Sequence, residues 1–180
     1  MSAELNGKKI LIIATDGFEQ SELEVPLKQL KSMGAQVDVA APKSGSIRGW
    51  KNKDWGDKVN VTMTLDEVKP DGYDALVLPG GQMNPDLLRL EPQAIDLIRY
   101  FARADKPIAA VCHAPWLLID AGLAKGRRMT SWPSVRIDLQ NAGATVVDEE
   151  VVVDLGVITS RKPEDLDAFV KAIAAALSPA

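Results

Sequence analysis

A chain of 180 residues fits one globular domain, and its 46% apolar content can build a core without covalent staples. Charged residues make up 26%, and 21 Lys and Arg against 25 Asp and Glu leave a formal charge of −4. That balance argues against disorder, nucleic-acid partners and docking on an anionic membrane. The scarcest residues are one cysteine and one histidine, and they are neighbours, Cys112 and His113. A lone cysteine closes no intramolecular disulfide and builds no Cys/His zinc site, so a reducing, cytoplasmic setting without metal or cofactor is expected.

The pattern along the chain alternates aliphatic runs with helical segments. Residues 1–7 are expected to be a flexible N-terminus, ahead of a buried strand over 8–14 that stops at Thr15-Asp16-Gly17. Its apolar run is far shorter than the ~18 residues a membrane span needs. Ser21-Glu22-Leu23-Glu24 fits a capping box, which predicts a helix with Leu23, Leu27 and Leu30 on one face and Gly34 as its stop. Pro26 predicts a kink or a late start. A second strand follows at 37–41. Residues 42–72 break the alternation, and short strands or a hairpin are expected near Ile47 and 59–61.

Residues 73–78 form a third continuous apolar strand, stopped by Pro79-Gly80-Gly81. Pro92 opens a helix with Ile95, Ile98 and Phe101 inward. The strand at 107–111 runs directly into Cys112-His113 and a helix through Leu118. Beyond it come a brief strand at 128–130, a helix over 135–141 closed by Gly143, and short strands at 145–147, 151–153 and 157–159. Pro163 starts a last helix whose Leu166, Phe169, Val170, Ile173 and Leu177 keep a 3.6 period. The whole reads as one α/β doubly wound domain, with a mainly parallel sheet and helices on both faces.

Ligands of such sheets bind beyond the carboxyl ends of the strands, which selects 15–22, 79–86 and 112–116. Cys112 falls at one of these strand-to-helix junctions, where nearby backbone amides would favour a thiolate over the usual thiol. The competing reading is a buried cysteine acting as a small hydrophobe. Glu19 lies past a neighbouring strand and could hydrogen-bond that thiol, or serve only as a first-turn glutamate. Gly80-Gly81 allows backbone amides close to a substrate, or marks a tight turn. Trp116, beside the site, could line it. Neither a dinucleotide fingerprint nor a phosphate loop is present.

These residues carry a resemblance. Phe18-Glu19 with Glu22-Leu23, Leu78-Pro79-Gly80-Gly81, Asn84-Pro85-Asp86, Val111-Cys112-His113-Ala114-Pro115, Thr130-Ser131-Trp132-Pro133 and 151–154 occur in order, and together the chain resembles the PfpI intracellular-protease family over 8–177. That superfamily also holds the Parkinson's-associated deglycase and, more distantly, class I glutamine amidotransferases. The resemblance implies a flavodoxin-like fold in homodimers or larger rings, with Cys112 as nucleophile and His113 as its neighbour. It implies Glu19 as the carboxyl group on the thiol, Gly81 and His113 as oxyanion-hole amides, and Gly80, Ala114 and Trp116 around the substrate. Ala114 stands where many members have glycine. Asp86 matches an acid that orients the histidine of an adjacent subunit. The implied function is hydrolysis of peptides, or of glycation adducts and glyoxals. The alternative is a non-enzymatic oxidative-stress sensor or holdase that uses an oxidisable Cys112.

Overall fold

The computed structural model describes residues 4–178. In chain order they form β1 (Lys9–Ile13), β2 (Phe18–Glu19), α1 (Gln20–Ser32), β3 (Gln36–Ala41), β4 (Ser46–Lys51), β5 (Asp54–Asn60), β6 (Met63–Thr64) and β7 (Ala75–Leu78). Then come α2 (Met83–Leu88), α3 (Pro92–Arg103), β8 (Ile108–Val111), α4 (Pro115–Asp120), β9 (Arg128–Met129), α5 (Arg136–Asn141) and β10 (Thr145–Val146). The chain closes with β11 (Val151–Asp154), β12 (Val157–Ser160) and α6 (Leu166–Leu177).

Seven strands make the central sheet in the order β11-β12-β8-β7-β1-β3-β6. Every pairing in it is parallel except β11 with β12 at one edge. Strands β1, β7, β8 and β12 are buried almost end to end, as expected for strands covered on both faces. One face packs Leu11, Leu76 and Ala110 on α3, α4 and α5 through Ile98, Phe101, Leu117 and Leu139. The other packs Ile12, Val77 and Val111 on α1 and α6 through Leu23, Leu30, Phe169 and Ile173.

The hairpin expected within 42–72 is β4 and β5, which pair antiparallel and join β2 in a separate three-stranded sheet. Three other expectations need correction. Leu5 is fully buried in the core, and its amide donates to the Met33 carbonyl at 2.7 Å, so residues 4–7 are tied down; residues 1–3 lie outside the described residues. The capping box at Ser21 does not form: α1 already starts at Gln20, with Glu19 as an extended N-cap that makes no side-chain cap. The late start expected from Pro26 is also absent, since α1 carries Pro26 inside it. Gly34 does end α1, at φ +97, where its left-handed backbone lets the Ala35 amide reach the Leu30 carbonyl.

Candidate active site

Val111 ends β8, and the chain turns at Cys112 toward α4. Cys112 has φ +64, a left-handed conformation that costs a residue with a Cβ about 1–2 kcal/mol. Its neighbours hold it there. The Cys112 amide donates to the Ser160 carbonyl at 3.0 Å, and its carbonyl accepts the Trp132 amide at 2.9 Å. The chain thus turns sharply at the strand-to-helix junction expected for Cys112. The thiol is only 6% exposed, at the floor of a cleft of about 390 Å³.

The carboxyl group that meets this thiol belongs to Glu22, not to Glu19 as expected. Glu22 lies on the inward face of α1 with Leu23, Pro26 and Leu30 and is wholly buried. Its Oε2 accepts the Gly80 amide at 2.9 Å, while Oε1 has no protein hydrogen-bond partner. Burial, with the Glu19 charge adding to it, pushes Glu22 up to about 8; the adjacent Cys112 thiol and the Gly80 and Gly81 amides pull the other way. Glu19, three positions earlier, is half-buried at the N-cap. Burial raises it too, the nearby Ser21 hydroxyl opposes that, and the charge of Glu164 adds to the rise.

Burial also pushes the Cys112 thiol up, and an ionised Glu22 adds to it; the amides of Gly81 and His113 pull it down. The thiolate-favouring elbow expected from sequence is therefore incomplete on its own. The two groups form a coupled pair in which one negative charge is tolerated and two are not. With its proton on Glu22, the pair leaves Cys112 free of the repulsion that otherwise holds its proton in place.

Gly81, expected to supply an oxyanion-hole amide, lies next to Cys112 in space. It has φ +81, and its amide and that of His113 both hold the Cys112 thiol's pKa down. Asn84 sets this loop, a role sequence reasoning missed. Fully buried, it donates Nδ2 to the carbonyls of Pro79 (2.8 Å) and Gly80 (3.1 Å) and accepts the Thr15 amide on Oδ1 at 2.8 Å. It thereby locks the loops after β7 and β1 together.

His113 Nδ1 lies 3.2 Å from Cys112 Sγ. Burial lowers its pKa, which keeps the imidazole neutral and able to accept a proton near pH 7. The ring stacks on Trp132 at 5.8 Å and meets the edge of Trp116 at 5.2 Å. Asp86 does not join it within one chain: it is exposed on α2, where its charge acts on Arg89.

The expected lining also shifts. Trp116 stands behind His113, with its indole Nε1 donating to Asp138 at 2.8 Å, while Gly80 and Ala114 are buried beneath the surface. Trp50 and Trp132 line the cleft instead, together with Glu19, Lys53, Gln82 and Glu164. Trp50 arrives because β2 pairs with β4, which sets it opposite Glu19. Among the described residues no group of three or more His, Cys, Asp or Glu could hold a metal ion, and no helix is long and apolar enough to cross a membrane.

Comparison with known proteins bears on family and fold. The model of the DJ-1/PfpI family matches residues 8–176. The chain belongs to the DJ-1/PfpI family. Its sheet order and helix layers are the flavodoxin-like α/β fold of that family. A relative from Thermococcus kodakarensis named a deglycase is 45% identical over 163 residues, covering 91% of this chain and 95% of that protein. Drosophila melanogaster DJ-1beta superposes with a TM-score of 0.86 at 31% identity, covering 95% of this chain and 90% of that one. A protein from Anabaena variabilis with DJ-1/ThiJ/PfpI-like and ferritin-like domains gives 0.89 at 34% identity. That match covers 96% of this chain and 50% of the larger protein.

Within the family frame, Glu22 was visible in the sequence as half of the Phe18-Glu19, Glu22-Leu23 motif. The signal that separates the two glutamates is helical phase. Position 22 falls on the stripe of 23, 26 and 30 that α1 buries, and position 19 precedes the helix.

Proposed function

We propose that the protein is a cysteine-dependent hydrolase that attacks a carbonyl with Cys112, on peptides or on glycation adducts of the kind a deglycase removes. The observation that carries this reading is the convergence on one sulfur of a protonatable Glu22, a neutral His113 and two backbone amides.

On a peptide the thiol passes its proton to His113 Nδ1 as the Sγ–C bond forms, and the carbonyl electrons move onto oxygen. That oxyanion faces the amides of Gly81 and His113. Glu22 keeps its own proton throughout, so no second negative charge opposes the one that develops on sulfur as its proton leaves. Collapse of the tetrahedral species breaks the C–N bond, and the leaving amine takes the proton from His113. Water then cleaves the thioester, releasing the acid and restoring the thiol.

Purified protein assayed on a fluorogenic peptide and on a methylglyoxal-treated peptide separates the two substrate classes. In either case Cys112→Ala should lower turnover by at least about 10³-fold. Full activity in that variant would place the chemistry elsewhere.

The assembly we propose is a homodimer or larger ring in a cytoplasmic setting. Two observations support it. No side chain other than Cys112 hydrogen-bonds His113 among the described residues. Asp86 shares its part of the surface with Leu87 and Leu90, which are 47% and 76% exposed. Asp86 of a second copy would then orient the imidazole. Sedimentation velocity should give a dimer or larger species; a monomer at assay concentration would remove Asp86 from the site.

A further inference from the structure

We propose that Asp138 is a positioning residue for His113: by fixing the Trp116 indole, it holds the imidazole with Nδ1 on the Cys112 sulfur. The inference rests on the reading of His113 as the group that takes the thiol's proton. It gives a task to Trp116, which does not line the cleft over the thiol.

Within one chain His113 has little else to orient it. The last torsion of a histidine side chain is broad and roughly two-fold, so the ring can turn either Nδ1 or a carbon toward a neighbour. Cys112, at 3.2 Å, is the one side chain that meets its nitrogens among the described residues. Aromatic contacts confine the ring instead. Trp132 stacks on it at 5.8 Å with 21° between the planes, and Trp116 crosses it at 5.2 Å and 66°. Pairs of this kind are directional as well as attractive, so the imidazole is only as fixed as the two indoles.

Packing alone does not fix Trp116. Its backbone is tied to the elbow, since its amide donates to the His113 carbonyl at 3.1 Å. Its indole is only half-buried, and a cavity of about 430 Å³ opens against it between Arg89, Ile119 and Asp138. Two groups hold the ring across that space. Nε1 donates to Asp138 Oδ2 at 2.8 Å, and the Arg89 guanidinium lies 5.6 Å from the ring centroid. Arg89 is anchored in turn by two bonds to Asp120, at 2.9 and 3.0 Å. The bond to Asp138 is the directional one, because an N–H aimed at a carboxylate sets the rotation of the indole about its own side chain. Asp138 on α5 thereby reaches the sulfur through Trp116 and His113 without touching either substrate or thiol.

The chain holds a single histidine, so the proton signals of its ring are read without ambiguity. In the full chain, Asp138→Ala should move those signals toward the positions of free histidine. It should also lower kcat on a peptide the wild type cleaves by about 3- to 10-fold, with KM unchanged. Asp138→Asn keeps an acceptor for the indole N–H and should match the wild type in both readouts. Trp116→Phe keeps an aromatic ring but loses the N–H; it should cost as much as Asp138→Ala, and the double variant no more than either, because the two side chains act as one unit. Unmoved ring signals in Asp138→Ala, an equal loss in Asp138→Asn, or additive losses in the double variant would each overturn the positioning role. Ring signals that move as expected in a protein that cleaves neither a peptide nor a glycated peptide would overturn the hydrolase reading alone.

Discussion

Glu22→Gln should lower kcat/KM for the Cys112-dependent reaction by about 10²–10⁴-fold, the range over which one proton-handling group contributes. Glutamine keeps an acceptor for the Gly80 amide at 2.9 Å, so the loop geometry survives. What it loses is the exchangeable proton. An amide can donate to the thiolate but cannot hold a charge in one state and release it in another. Glu19→Gln, by contrast, removes only a half-buried charge at the N-cap and should cost far less, because Glu19 acts on the pair through space.

The same substitution changes how stability depends on pH. Glu22 is raised from 4.5 in the unfolded chain to about 8 in the folded one. Between those limits the folded state holds a proton that the unfolded state has released. Its contribution is therefore complete below pH 4.5 and is lost as pH rises toward 8. The wild type should accordingly lose stability relative to Glu22→Gln across that window, by an amount on the order of a few kcal/mol. Denaturant melts of the two proteins at pH 5 and pH 8 measure it. Parallel pH dependence in both would mean that Glu22 titrates as an ordinary surface carboxylate.

Gly80→Ala should be among the most damaging single substitutions in the site, costing about 3 kcal/mol and abolishing turnover. A Cβ at this position would lie 2.5 Å from Glu22 Oε2, 2.6 Å from the Val111 carbonyl oxygen and 2.8 Å from Cys112 Cβ. Two of those are rigid parts of β8 and the elbow, and the third is held by the Gly80 amide itself. No small rotation relieves all three. The loop must move away, taking with it the Gly81 amide that faces the sulfur. Thermal unfolding with single-turnover kinetics reads both losses; a wild-type melting curve would show that the loop is softer than its contacts imply.

The legible part of this protein was its sheet. Runs such as 10–14 and 107–111 are aliphatic without alternation, and only a strand covered on both faces accommodates that, so the elbow at Cys112 followed from strand-end geometry. The start of α1 was obscured by Ser21 and Glu24, whose spacing imitates a cap. The helix begins earlier because pairing of β2 with β4 delivers Glu19 in an extended conformation directly ahead of Gln20. The start of α6 was blurred as well: Pro163 begins a single 3₁₀ turn to Asp165 before the α-helix. The role of Glu22, though its motif is in the sequence, was obscured for a different reason. A glutamate on a buried face contradicts the amphipathic pattern, and its compensation, the Gly80 amide, lies 58 positions away. The aromatic walls depend equally on tertiary contacts, since Trp132 reaches His113 only through its bond to the Cys112 carbonyl.

Everything chemical here depends on Glu22 and Cys112 titrating as a coupled pair. The most direct test follows the side-chain carboxyl ¹³C signal of Glu22 and the ¹³Cβ signal of Cys112 in one titration from acid to alkaline pH. The Glu22 midpoint should lie near 8, with Cys112 Cβ shifting in the same step. A Glu22 midpoint near 4.5, with Cys112 titrating independently, would contradict the pair and with it the proposed mechanism.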